Sequence, residues 1–213
     1  MARYGAEHKE RTRRRIVETS GRRFKAGGLA GSGVAALMAD AGLTNGAFYG
    51  HFASKDDLVA GVIADQLGAQ RDRIADADIE RVVRAYLSAE HRDHPAEGCT
   101  SAALLSEIAH SGETVRQAYT AGLLGVVDAI AARLEPGDPA SVRVQVLAVL
   151  TGMFGTLQTA RAITDRRLSD ELLERGADIA LAQLGLRGSA TDRGSAHAPD
   201  HGPPAGSRAR SSR

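Results

Sequence analysis

Residues 32–55 read SGVAALMADAGLTNGAFYGHFASK. Val34, Leu37, Met38 and Ala41 recur at three- and four-residue spacing, which places them on one apolar helical stripe, and Ala41-Gly42-Leu43 interrupts it. A second helix is predicted from Thr44 to His51, capped by Thr44. It would turn Ala47, Phe48 and Phe52 inward and leave Asn45, Gly46, Tyr49 and His51 on its outer side. Two short helices joined by a three-residue turn containing Gly make a helix-turn-helix, a motif whose second helix lies in the major groove of DNA.

Upstream, a first helix is predicted from about Glu7 to Lys25, with Ile16, Val17 and Phe24 on one side and Arg11, Arg13, Arg14 and Arg15 in one run. Gly27-Gly28 ends it, and Leu29 to Gly31 forms the link. Ser32 is placed to cap the next helix with its hydroxyl turned toward a phosphate. Downstream, Ser54 followed by Asp56 and Asp57 reads as the start of a long helix reaching roughly Ala75.

Charge divides along the chain in the same sense. Residues 1–61 carry ten Lys or Arg against six Asp or Glu, residues 62–186 twelve against eighteen, and residues 187–213 five against two. The basic end is the one that holds the helix-turn-helix, as phosphate binding requires. A run of arginines alone is equally well a solvated helix face, and beside this motif it reads as phosphate contact. Trp is absent, aromatics are 4% of the chain, and Ala, Leu and Val dominate, which favours helices packed on helices. The single cysteine, Cys99, allows no intramolecular disulfide and fits a reducing cytoplasm. The polar N-terminus has no signal-like apolar run, and the apolar stretch 142–163 is broken by Arg143, Gln145, Gln158 and Arg161, so a buried or interface helix is expected there and no membrane span.

Further helices are predicted at 78–92, 100–110, 114–134, 141–164 and 169–184, with Glu135-Pro136-Gly137-Asp138-Pro139 a clear break. The helix at 141–164 is apolar on most sides, which points to both of the last two helices packing against a second copy. Residues 187–213 have almost nothing apolar and are expected to be a disordered tail.

The stretch AGLTNGAFYGHFASKDDL, residues 41–58, closely resembles the DNA-binding signature of the TetR family of transcriptional regulators. The resemblance is specific over residues 7–60 and architectural over 61–186. It implies a homodimer on a palindromic operator, most often a repressor, released when a small molecule enters the second domain. By the family pattern Thr44 caps the recognition helix and touches the backbone, Asn45 and Gly46 face bases, and Ser32, Tyr49, His51 and Lys55 hold phosphates, while Phe48 and Phe52 pack. Arg11 and Arg14 join the phosphate set from the basic first helix. Gly50 departs from the bulky residue common at its position, so no base contact is expected there.

For a ligand pocket the candidates are Tyr86, Leu104, Tyr119, Met153, Phe154 and Leu157, each of which is equally well plain core. The scarcity of polar groups among them favours a neutral or lipophilic effector. Cys99, in Glu97-Gly98-Cys99-Thr100-Ser101, stands at a predicted helix start, where the dipole favours a thiolate. The segment 98–119 resembles a branch of the family with Gly-Cys at the head of the sixth helix, some of whose members respond to electrophiles or oxidants. The alternative is an inert buried thiol. A third reading joins Cys99 to His91 and His94 as a metal site, with loose spacing and no fourth ligand.

Nothing reads as a nucleophile elbow, a phosphate-binding glycine loop or a carboxylate pair, so no enzyme, no cofactor and no metal are expected. The chain is thus read as an all-α protein of about nine helices. It has a three-helix helix-turn-helix DNA-binding domain over 1–53, a helical ligand-binding and dimerisation domain over 54–186, and a tail over 187–213. Its expected partners are double-stranded DNA, a second copy and a small-molecule effector, in the cytoplasm. The competing reading is an architectural, weakly specific DNA-binding protein whose second domain only dimerises.

Overall fold

The computed structural model describes residues 2–186, and the tail expected from residue 187 lies outside them. Among the described residues every regular element is a helix. Helix α1 (Ala2–Gly27) carries Ile16, Val17, Ser20 and Phe24 on its buried face and closes with the Gly28 N–H on the Phe24 carbonyl at 2.8 Å. Helix α2 (Val34–Asp40) buries Leu37 and Met38. The tight turn after it needs a left-handed residue, and Gly42, at φ 65°, supplies one without a Cβ clash. The recognition segment, Asn45–Gly50, is a 3₁₀ helix and not the α-helix expected over 44–51. Two glycines in six residues and the short span favour the tighter turn, as the Ala47 N–H on the Thr44 carbonyl shows.

Helix α3 (Lys55–Ala75) begins at Ser54, whose Oγ accepts from the Asp57 N–H at 3.1 Å while the Asp57 carboxylate accepts from the Ala53 N–H at 3.0 Å. This reciprocal box satisfies two N–H groups that a helix start leaves open. The helix expected over 78–92 is two helices, α4 (Ile79–Tyr86) and α5 (Ala89–Asp93), because Ser88 caps a new start by accepting from the His91 N–H at 3.2 Å. Then come a 3₁₀ turn (Pro95–Glu97), α6 (Thr100–Ala109), α7 (Glu113–Leu134), α8 (Pro139–Ala162) and α9 (Arg166–Gln183). Pro139 opens α8 from its first turn, and Asp165 caps α9 by accepting from the Leu168 N–H at 3.2 Å, three residues earlier than the sequence reading placed that start.

The buried residues form two cores. One joins Phe24, Leu37, Phe48, Phe52 and Leu58 to Leu104, Ile108, Val115 and Tyr119; the other joins Ile79, Val83, Val127, Ile130, Phe154, Leu157, Leu173 and Leu181. Helix α3 gives Leu58 to Leu67 to the first and Ile74 to the second, so it runs through both. It lies so close along α7 that a Cβ at Gly122 would stand 2.7 Å from Leu67 Cδ1. Buried Arg92 ties α5 to α9 through the Asp170 carboxylate at 2.6 Å and the Ser169 hydroxyl at 2.7 Å. Helix α8 is long and apolar enough to span a membrane by length and composition alone, and 33% of its most apolar stretch is buried within the chain. Val144 on α8 and Leu168 and Ile179 on α9 are exposed.

Candidate nucleic-acid interface and interior cleft

The recognition segment is held from beneath. Phe48 and Phe52 are each 1% exposed and stack at 5.8 Å, and Tyr49, 74% exposed, meets the Phe48 ring edge-on at 5.2 Å. Burying two rings on one side forces the next residue out. Thr44, Asn45 and Gly46 are exposed beside it. Thr44 stands at the cap position, but its hydroxyl makes no capping hydrogen bond.

The arginine run divides into two jobs. Arg13 donates to the His51 carbonyl at 2.6 Å and lies over the Phe52 ring at 4.1 Å, and Arg15 donates to the Ala41 carbonyl. Both brace the motif. Arg11 and Arg14, the two placed in the phosphate set, are exposed. Arg23 adds an ion pair to Asp40 at 2.7 Å, joining α1 to α2.

Two expected phosphate ligands are used otherwise. Ser32 is 1% exposed, its hydroxyl donates to the Gly28 carbonyl at 2.9 Å, and the residue that caps α2 is Gly33. A short hydroxyl beside an open helix end takes the nearest acceptor, here its own preceding turn. Lys55 is half-buried, and its ammonium donates to the Leu29 carbonyl at 2.5 Å. His51 has its Nδ1 buried without a partner, and burial first, then Lys9, Arg13 and His8, hold its pKa below the usual histidine value.

The expected pocket is elsewhere than the sequence reading put it. Leu104 and Tyr119 belong to the first core and Met153, Phe154 and Leu157 to the second, where Met153 and Tyr86 line a cavity of only about 30 Å³. Of the six, Tyr86 alone lines a cleft of about 650 Å³, which opens between α1, α3, α4 and the segment before α6. Its lining includes Lys25, Gln66, Arg73, His91 and Cys99, so it is far more polar than expected.

Cys99 caps α6 and is 9% exposed. Its N–H donates to His91 Nε2 at 3.0 Å, and His91 Nδ1 lies 2.7 Å from the Tyr86 carbonyl. A carbonyl only accepts, so Nδ1 carries the proton and His91 is neutral. Burial, and then the cations Arg161 and Lys25, keep its pKa low, against the raising effect of the Tyr86 carbonyl. With both ring nitrogens engaged and His94 turned to Glu90 at 3.1 Å, the His91–His94–Cys99 metal reading does not assemble. Among the described residues no group of three His, Cys, Asp or Glu could hold a metal ion.

Sequence reading missed two residues that join the halves. Lys25 donates to the Gly98 carbonyl at 3.0 Å, and Glu107 of α6 accepts from the N–H groups of Leu29 at 2.8 Å and Ala30 at 3.1 Å. Helix α3 is therefore not the sole connection between the helix-turn-helix and the second domain. The available signals were a lysine just ahead of Gly27-Gly28 and one acid on an otherwise apolar α6.

A braced helix-turn-helix with exposed arginines, carried on a helical second domain, defines a DNA-binding transcription regulator. The family model described as bacterial regulatory proteins, tetR family, matches residues 16–62, so that stretch is a DNA-binding module of the TetR type, and the fold around it is TetR-like. No curated protein matches the chain. Among solved structures it is similar to the reduced form of NemR from E. coli, with 21% identity, 79% of this chain and 95% of that one covered, and a TM-score of 0.64. It is also similar to a TetR-family regulator from Cytophaga hutchinsonii, with 20% identity, 82% and 96% coverage and a TM-score of 0.65. FadR from Bacillus subtilis, solved in complex with stearoyl-CoA, shares 17% identity over 76% of this chain and 96% of its own, at a TM-score of 0.56.

Proposed function

We propose that this chain is a ligand-responsive repressor that binds a palindromic operator as a homodimer in the cytoplasm and lets go when an effector occupies its second domain. The observation that carries the reading is the recognition segment itself: Asn45, Gly46 and Tyr49 stand exposed on a face fixed by buried Phe48 and Phe52, and Arg11 and Arg14 of the basic first helix are exposed as well. Operator reading needs groups that specify bases together with groups that hold phosphates, and these exposed side chains supply both kinds. The half-buried apolar α8, with Val144, Leu168 and Ile179 exposed on α8 and α9, supports pairing of these helices with those of a second copy.

The effector reading centres on Cys99. Its thiol lines the cleft at the start of α6, near Lys25 and Arg161. An electrophile that alkylates Cys99 would wedge open the contact between α1 and α6. Selecting bound duplexes from a randomised pool tests the whole reading. An inverted repeat with half-site centres about one helical turn apart, or a multiple, is expected. No enriched repeat would favour an architectural DNA-binding protein. For the electrophile, Cys99→Ser should keep the operator at reagent concentrations that release wild type; equal release removes Cys99 from the mechanism.

A further inference from the structure

The cleft that holds Cys99 has a second feature the thiol does not use. Its charged lining balances, with Glu18, Asp65 and Glu97 against Arg22, Lys25 and Arg73, and of these six only Lys25 is withdrawn from solvent. No carboxylate pairs with the Lys25 ammonium; its acceptor is the Gly98 carbonyl. Burial holds its pKa below the usual lysine value, against the raising effect of Cys99 and Glu97. Beside Cys99 stands a second donor. The Tyr86 hydroxyl is buried beside the Cys99 thiol with no hydrogen bond of good geometry, and burial first, then Cys99, pushes its pKa well above the usual phenol value. An unmet buried O–H costs more than an ordinary hydrogen bond contributes, so it marks a place shaped for an acceptor. The remaining wall, with Ile74, Ala77, Val82 and Ala85, is largely apolar.

Two withdrawn donors, one half-buried and one buried, on a cleft of about 650 Å³ with an apolar wall suit a ligand with one charged acceptor and a hydrocarbon body. We propose that this cleft binds a small monocarboxylic acid, its carboxylate accepting from Lys25 Nζ and Tyr86 Oη and its apolar body lying along Ile74 and Val82. The inference rests on the regulator reading for its consequence but not for its chemistry. A carboxylate on Lys25 competes with the Gly98 carbonyl, the bond that fastens the end of α1 to the residue preceding Cys99. Release there frees α1 three residues before Gly28, where the link to α2 begins. The acid thereby loosens the helix-turn-helix with no covalent step.

The test titrates the full-length protein with octanoate and benzoate, and with octanamide and benzamide as neutral twins, by calorimetry and melting. At least one acid is expected to bind saturably below about 1 mM and at least tenfold tighter than its amide. Tyr86→Phe should melt like wild type, since its hydroxyl has no hydrogen bond of good geometry to lose, and bind the acid about tenfold more weakly. Lys25→Met should abolish the preference for acid over amide. Equal binding of acid and amide, no binding of either acid, or an unchanged preference in both variants overturns the proposal. Operator affinity is read in the same samples. Acid binding without operator release leaves the site standing and removes its regulatory role, whereas operator binding without acid binding removes the site and leaves the regulator reading standing.

Discussion

The Glu107 carboxylate grips the peptide N–H of Leu29 at 2.8 Å while the Lys55 ammonium holds the Leu29 carbonyl at 2.5 Å. One peptide segment between α1 and α2 is thus clamped by α6 on one side and α3 on the other. Leu29 itself is buried, so the clamp fixes the pitch of the helix-turn-helix relative to the domain that carries Cys99. Any motion of α6 reaches α2 through this clamp as well as through α3.

Glu107→Ala should therefore do two things at once. Leaving the Leu29 and Ala30 N–H groups without their acceptor costs about 1–3 kcal/mol, measurable as a lower denaturant midpoint. Operator affinity should fall, and the change produced by effector should shrink. Glu107→Gln keeps an oxygen acceptor and should recover most of the stability. A variant with normal operator affinity and full effector response would show that the clamp transmits nothing.

Arg13 and Arg14 are neighbours in sequence and should behave as opposites. Arg13→Ala removes a hydrogen bond to the His51 carbonyl and a cation–π contact with Phe52, and should lower stability by about 1–3 kcal/mol. Arg14→Ala should melt like wild type and reduce the slope of log affinity against log salt by about 1, equally on operator and random DNA. Melting curves and salt titrations of the two variants decide it, and the reverse pattern would reverse the assignment.

How far the chain could be read without coordinates follows from which forces are local. The helix-turn-helix was legible because Leu37, Met38 and Phe48 keep a helical period and Gly42 marks the turn, all within a few residues. The division of the arginines was also present in the sequence. Arg13 lies three, four and seven residues before Ile16, Val17 and Ser20, on the buried side, whereas Arg14 does not share that side. The cleft was not legible. Tyr86 and Tyr119 both look like aromatics on a helix stripe, and only the way α1 meets α3 and α4 leaves space beside the first and none beside the second. Ser32 and Lys55 were misplaced for a related reason. Each has a nearby carbonyl, of Gly28 and Leu29, that a one-dimensional pattern does not show.

Acid should weaken the Cys99 end of α6. His91 is neutral in the fold, faced by Lys25 and Arg161, with its pKa held below the model-compound value of about 6.5. The unfolded chain then binds more protons than the native one near and below that pH, so stability is present above about 6.5 and is lost as pH falls through the lowered native value. Protonation also removes the Nε2 acceptor from the Cys99 N–H. Melting temperatures from pH 8 down to 5 should fall in wild type and fall less in His91→Gln. Parallel curves would place the effect on another group.

Two glycines should respond in opposite directions. A Cβ at Gly50 meets nothing within 4 Å, and its backbone is not left-handed, so Gly50→Ala should stabilise the free protein by about 0.4–1 kcal/mol. Gly122→Ala drives a Cβ into Leu67 at 2.7 Å and should cost about 1–3 kcal/mol by forcing α3 and α7 apart. Denaturant midpoints of the two variants check both signs.

Specific operator recognition is tested most directly by one ratio: the affinity for the selected inverted repeat over that for a random duplex of equal length, measured by fluorescence anisotropy at physiological salt. A ratio of about a thousand or more is predicted for a recognition segment that reads bases through Asn45. A ratio within about tenfold would contradict it and leave a protein that holds DNA by its phosphates alone.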